Sequence, residues 1–138
     1  MSDDELIKTA MEARSRAYAP YSKFAVGAAL LTKSGKVFSG CNIENISLAL
    51  TMCAERVALG AALSDGQKEF VAIYLIADSK RPVLPCGACR QVLAEFNPAI
   101  KIVTSTITGE RETAELKDLL PRPKQGILEA FQDVRIAD

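Results

Sequence analysis

The chain has 138 residues, 49% apolar and 25% charged, and its 17 basic residues balance its 17 acidic ones. That is the length and mix of one ordinary globular domain, and zero net charge leaves no electrostatic footprint for nucleic acid or an anionic membrane. There is no histidine, so histidine triads and histidine-ligated metals are excluded.

Met1-Ser2-Asp3-Asp4-Glu5 opens the chain with acids, where a signal peptide would be basic and then apolar. No apolar run is long enough to span a bilayer. These features predict a cytoplasmic protein folded as a single domain over 1–138. Ser2 and Glu5 form a capping box, and Leu6, Ile7, Ala10, Met11, Ala17 and Tyr18 recur at helical spacing. They predict a helix over 3–18, stopped near Pro20. Phe24 to Thr32 reads as a strand, Ser34-Gly35 as a hairpin turn, and Lys36 to Cys41 as the returning strand. Asn42-Ile43-Glu44-Asn45 is a polar loop.

Thr51 is placed to cap a second helix that runs to Ser64, with Gly66 just beyond it. This helix is apolar all round from Val57 to Leu63, which predicts burial. Phe70 to Ala77 is a continuous apolar run, as in a central strand. After a loop over Lys80 to Leu84, Pro85 introduces a helix that ends near Asn97-Pro98. Ile100 to Ile107 is a strand, Thr108-Gly109-Glu110 a turn, and Glu112 to Glu115 a short edge strand. Leu116 to Leu120 is one helical turn, and the tail from Gly126 reads as a weak helix. Alternating strands and helices predict a mostly parallel sheet with helices on both faces. In such sheets sites gather where strands end and helices begin.

Two stretches sit at such places: Thr51-Met52-Cys53-Ala54-Glu55-Arg56 and Pro85-Cys86-Gly87-Ala88-Cys89-Arg90. Three thiolates hold a zinc ion and leave its fourth tetrahedral position open for water. A carboxylate two residues from a ligand can reach that water and move its proton. Three thiolates and Zn²⁺ sum to a charge of minus one, which weakens the Lewis acid. Two helix N-termini offset that charge, and Arg56 and Arg90 are placed to donate hydrogen bonds to the sulfurs. Other readings stand beside this one. Cys86 and Cys89 alone would make a thioredoxin-like redox pair. With Cys41 as a fourth ligand the site would close into a structural zinc centre. Cys41 is otherwise read as a small core residue.

The two stretches match the known zinc-deaminase signature, in which the glutamate is not a ligand. With them go Ala19-Pro20-Tyr21-Ser22-Lys23-Phe24-Ala25-Val26-Gly27-Ala28 and Gly40-Cys41-Asn42-Ile43-Glu44-Asn45. From about Leu6 to Pro121 the chain resembles the zinc-dependent cytidine deaminases of the small, homotetrameric bacterial type. The resemblance implies a three-layer α/β/α sandwich around a mixed five-stranded sheet. It implies one Zn²⁺ per chain on Cys53, Cys86 and Cys89, with Arg56 hydrogen-bonded to the thiolates. It implies that Glu55 shuttles the proton while zinc-bound hydroxide attacks C4 of cytidine or 2′-deoxycytidine, releasing ammonia in pyrimidine salvage. It implies further that Phe24 packs on the base, that the Ala54 N–H meets its 2-oxo group, and that Asn42 and Glu44 hold the sugar hydroxyls. The implied partners are a small nucleoside and three further copies of the chain, with no nucleic acid and no membrane. Two departures bear on the pocket wall and the subunit contact. Leu48 stands where the family usually has an aromatic residue. Arg122-Pro123 follows Leu119-Leu120-Pro121 where a phenylalanine is common. These departures keep open a modified or bulkier, N4-substituted, cytosine nucleoside as substrate. A non-catalytic zinc-stabilised binding domain is the more remote alternative; it has no need of Glu55.

Overall fold

A computed structural model describes residues 1–126 and 128. The elements in chain order are α1 (Asp3–Arg14), β1 (Val26–Thr32), β2 (Val37–Cys41), a 3-10 turn at Leu48–Leu50, α2 (Ala54–Ser64), β3 (Phe70–Ala77), α3 (Gly87–Ala94), β4 (Lys101–Thr106), β5 (Arg111–Glu115) and α4 (Leu116–Leu119). The helix expected over the tail beyond Gly126 lies outside the described residues.

The five strands form one sheet in the order β2-β1-β3-β4-β5. Only β3 and β4 pair in parallel; the other three pairings are antiparallel. The expected mostly parallel sheet is therefore wrong, and the mixed one is right. The reason is the position of β1, which lies between β2 and β3 and opposes both. The helix-containing connection from β2 to β3 thus skips one strand instead of joining neighbours. Since β2 and β3 both oppose β1, they run in the same direction. Their carboxyl ends, which lead to α2 and α3, meet at one edge of the sheet.

The layers follow from strand alternation. Ala29, Ala72, Tyr74, Ile76 and Val103 face Leu6, Ile7 and Ala10 of α1. On the other side Ala28, Leu30, Ile73, Leu75 and Ile102 meet Ala54, Ala58, Leu59 and Ala62 of α2 and Leu93 and Ala94 of α3. The result is an α/β/α sandwich with two cores.

Local signals account for the helix ends. The Ser2–Glu5 capping box is formed in both directions. α1 stops at Arg14, short of the expected 18, although Ala17 and Tyr18 continue its apolar spacing. Tyr18 instead makes a parallel bridge beside Ile43: its N–H donates to the Asn42 carbonyl and its carbonyl accepts from Glu44 N–H. α2 begins two residues later than expected, with Cys53 and not Thr51 as its N-cap. Thr51 ends the preceding 3-10 turn, and its hydroxyl is buried without a partner. Gly66 closes α2 with a φ of +90°, and the Gln67 N–H reaches the Ala62 carbonyl, as in a Schellman cap. α2 is not buried all round, since Gly60 and Ala61 are exposed.

Two glycines set the distance of the helices from the sheet. A Cβ on Gly27 would lie 1.9 Å from the Ala10 carbonyl oxygen of α1. On the opposite face, a Cβ on Gly40 would lie 2.5 Å from both the Ala54 carbonyl oxygen and the Ala58 nitrogen of α2. Helix backbone cannot yield as a flexible side chain does. Gly40→Ala is expected to destabilise the fold by about 2–3 kcal/mol, the upper range for overpacking. Because α2 must move at the turn that carries Cys53 and Glu55, zinc affinity is expected to fall with it. Urea midpoint and chelator competition measure the two effects.

Candidate active site

The site lies where β2 and β3 deliver the chain to α2 and α3. Cys53 is the N-cap of α2 and Cys86 the N-cap of α3, with Cys89 in the first turn of α3. No side-chain oxygen caps either helix. The opening N–H groups and the positive ends of both helices are therefore left to the thiolates.

The three sulfurs lie within 4.8 Å of one another. Cys53 Sγ is 4.0 Å from Cys86 Sγ, and Cys86 Sγ is 3.5 Å from Cys89 Sγ. A tetrahedral zinc with Zn–S bonds of about 2.3 Å sets its sulfurs roughly 3.8 Å apart. The donor set therefore fits zinc in spacing as well as in softness. Cys41 is not part of the cluster. Gly40 faces α2, so its neighbour Cys41 points to the opposite face of the sheet. It is half-buried there instead of being the core residue expected.

Arg56 sits behind the sulfurs. Its Nη2 donates to Cys53 Sγ at 3.6 Å and to the Thr51 carbonyl at 3.3 Å. Hydrogen bonds from Cys89 first and Arg56 second hold the Cys53 thiol well below its ordinary pKa. The same bond to Cys53, together with burial and the nearby Glu55, pushes Cys89 up. Arg90 does not reach a sulfur, contrary to expectation. Its Nε donates to the Pro85 carbonyl at 2.8 Å and its Nη1 to the Leu119 carbonyl at 3.1 Å. It holds the peptide just before Cys86 and ties α3 to α4.

Glu55 is 5% exposed in the first turn of α2. Burial raises its pKa above the ordinary carboxylate value, with the Cys53 charge adding to the effect. A carboxyl so placed holds a proton more readily than an exposed one. It opens onto a cavity of about 230 Å³ together with Cys53, Cys86, Ala54, Phe24 and Asn42. Val26, Leu75, Val83 and Leu84 make apolar walls. A larger groove of about 460 Å³ runs between Lys33-Ser34 and Gly66–Glu69. It contains no thiol, and its ion pair, Lys33 with Glu69, spans 3.9 Å on the exposed surface.

Of the residues singled out in the sequence, Phe24, Asn42, Cys53, Ala54, Glu55 and Cys86 share this one cavity. Cys89 is fully buried beneath it. Glu44 does not line the cavity, but is buried beside it under the Tyr21-Ser22 turn. Leu48 is exposed and not in the cavity, so its departure from the aromatic leaves this chain's cavity wall untouched. Sequence reasoning missed Leu75, Val83 and Leu84. Leu75 reads only as strand core, and an apolar pair in a loop carries no chemical signature.

Residues 1–106 match the family described as "Cytidine and deoxycytidylate deaminase zinc-binding region". A cytidine deaminase of Halalkalibacterium halodurans is 53% identical over 122 residues, which cover 88% of this chain and 92% of that protein. The solved cytidine deaminase of Burkholderia pseudomallei superposes with a TM-score of 0.86 at 48% identity, covering 88% of this chain and 98% of that one. A blasticidin-S deaminase of Bacillus cereus is 33% identical over 127 residues, 86% of this chain and 89% of its own.

Zinc analysis checks the donor set. Cys86→Ala is expected to lower zinc from about one per chain to a small fraction, since two thiolates make a poor site. Cys41→Ala is expected to retain it. Loss of the metal from Cys41→Ala instead would make the site a closed, structural one.

Proposed function

Because the chain belongs to the cytidine and deoxycytidylate deaminase zinc-binding family, we propose that it hydrolyses cytidine and 2′-deoxycytidine to the corresponding uridines and ammonia, as a zinc-dependent deaminase. The observation that carries this reading is the meeting of three sulfurs and a buried carboxyl at one small, largely apolar cavity.

Cys53, Cys86 and Cys89 would hold the zinc, which would supply Lewis-acid chemistry that makes a water acidic enough to ionise near pH 7. Glu55 takes the proton of the attacking water. It passes that proton to N3 of the pyrimidine as the water oxygen bonds to C4. It then takes the remaining proton from the hydroxyl now on C4 and gives it to the amine, which leaves as ammonia as the C4–N4 bond breaks and the C4 carbonyl forms. One carboxyl thus handles three positions, and its burial keeps water from competing for the proton. Phe24 packs on the base, the Ala54 N–H donates to the 2-oxo oxygen, and Asn42 and Glu44 hold the sugar hydroxyls. Arg56 offsets the charge of the thiolates.

We also propose that the active form is a homotetramer. Ile46, Leu48, Leu50 and Met52 are exposed together on the segment before α2, an apolar surface that association would cover. Sedimentation is expected to give a mass near four chains, and a fully active monomer would contradict the proposal. Among the described residues no helix is long and apolar enough to cross a membrane.

Ultraviolet absorbance and ammonia release with cytosine, cytidine, 2′-deoxycytidine, N4-substituted cytidines and blasticidin S test the substrate. Cytidine and deoxycytidine are expected to lead; preference for an N4-substituted nucleoside would replace this reading. Glu55→Gln keeps the shape but carries no proton. Its kcat is expected to fall at least about 10⁴-fold, the upper end for a general acid–base, with zinc content and nucleoside affinity retained. A zinc-replete mutant that keeps more than about a tenth of wild-type kcat would remove Glu55 from this role.

A further inference from the structure

The side chains that hold the loop carrying Phe24 are the same two that the proposed function assigns to the sugar. Glu44 Oε1 accepts from the Tyr21 N–H at 3.0 Å and from the Ser22 N–H at 3.1 Å. Its Oε2 accepts from the Ser22 hydroxyl. The Ser22 hydroxyl in turn accepts from the Phe24 N–H at 3.0 Å. Two residues before Glu44, Asn42 Nδ2 donates to the Phe24 carbonyl at 2.8 Å, and Asn42 Oδ1 accepts from the Val26 N–H at 2.9 Å. Residues 21–26 therefore hang on Glu44 at one end and Asn42 at the other, with Phe24 between them.

Ser22 is the joint in this arrangement. A hydroxyl has one proton and two lone pairs. Its proton is committed to the carboxylate, so a lone pair is left for Phe24. Lys23 makes the geometry possible with a φ of +60°, a left-handed conformation uncommon outside glycine. It bends the chain so that the Phe24 N–H turns back to the hydroxyl two residues earlier. The hydrogen bond from Ser22 also holds the Glu44 carboxyl below its ordinary pKa, so it is a charged acceptor. A carboxylate has about four acceptor sites. Three are taken here, which leaves one for a sugar hydroxyl.

We propose that Ser22 is a positioning residue that couples recognition of the sugar by Glu44 to the placement of Phe24 against the base. This rests on the reading that Glu44 holds a sugar hydroxyl and Phe24 packs on the base. The added claim is that the two contacts are not independent. A sugar hydroxyl on Glu44 meets a carboxylate already oriented by Ser22, and the same Ser22 oxygen fixes the backbone of Phe24. A nucleoside with the hydroxyl thus binds to a site whose base-packing wall is set. Without the Ser22 hydroxyl, Glu44 keeps its bonds to the backbone N–H groups of residues 21 and 22 but loses its link to the Phe24 N–H, and the coupling is weakened.

Steady-state kinetics of the zinc-loaded full chain with cytidine and 2′,3′-dideoxycytidine test the coupling. Ser22→Ala is expected to raise KM for cytidine about tenfold, the scale of a lost hydrogen bond to a charged acceptor. With dideoxycytidine, where only the loosened Phe24 matters, the rise is expected to stay below about threefold, and kcat is expected to change less than KM in both cases. Ser22→Thr retains a hydroxyl and is expected to recover most of the difference between the two substrates. Equal KM penalties for both substrates, or no penalty, would overturn the coupling while leaving the deaminase reading intact. If the wild type itself has the same KM for both substrates, Glu44 does not read the sugar, and the coupling falls with that assignment. Should Ser22→Ala fail to fold, Ser22→Cys, whose thiol is a weak donor, is expected to show the same split in smaller measure; equal penalties there overturn the coupling in the same way.

Discussion

Cys53 and Cys86 are thirty-three residues apart in sequence and 4.0 Å apart at sulfur, and the rest of the site depends on that approach. It requires two helices to begin side by side at one edge of a sheet. Antiparallel insertion of β1 between β2 and β3 sends both parent strands toward the same edge. Gly40 then lets the backbone of α2 settle on β2. A side chain at that position would lift the first turns of α2, where Cys53, Ala54 and Glu55 are clustered. The placement of the Cys53 thiol thus depends on how closely α2 seats on β2, and so on the absence of one methyl group at Gly40.

Electrostatics explains why these elements are helices and why they begin here. Three thiolates around a divalent ion leave a surplus negative charge in a partly buried place. The N-termini of α2 and α3, which no N-cap side chain closes, meet that surplus with partial positive charge. Arg56 adds a full charge at 3.6 Å from Cys53 Sγ. Arg90, one residue beyond Cys89, has the same chemistry but spends it on the carbonyls of Pro85 and Leu119. Its work is mechanical: it fixes the peptide that precedes Cys86.

Much of the site was legible in the sequence, because its chemistry is carried by residue types at fixed spacing. Cys53, Glu55, Cys86 and Cys89 stood out on those grounds, and the capping box of Ser2 and Glu5 was equally plain. What was not legible depends on partners distant in sequence. The apolar spacing of Ala17 and Tyr18 extends that of α1, but backbone bonds to Asn42 and Glu44 take the chain out of the helix. Thr51 has the better side chain for a cap, yet Cys53 occupies the N-cap. Strand direction was misread because periodicity shows that strands and helices alternate, not which strands are neighbours. Arg56 and Arg90 look alike in the sequence, and only the fold shows that one meets sulfur and the other meets carbonyls.

The cavity walls show a second constraint of the same kind. Neither wall that carries Phe24 nor the one that carries Val83 and Leu84 is a regular element. Loops of this sort are mobile unless something pays their ordering entropy. Here buried or half-buried polar side chains do so from within. Thr104, buried on β4, donates to the Val83 carbonyl at 2.6 Å, and Asn42 holds the Phe24 carbonyl at 2.8 Å. Each bond also satisfies a backbone oxygen that the loop leaves without a strand partner. The walls are therefore in place before a ligand arrives, so less ordering has to be done on binding. Apolar surfaces held this way around a buried Glu55 keep bulk solvent from its carboxyl, and in the resulting low dielectric each charge or dipole acts more strongly on its neighbours. The fold thus supports the Glu55 carboxyl in two places: beneath it, through the seating of α2 on Gly40, and above it, through loops fastened by Asn42 and Thr104.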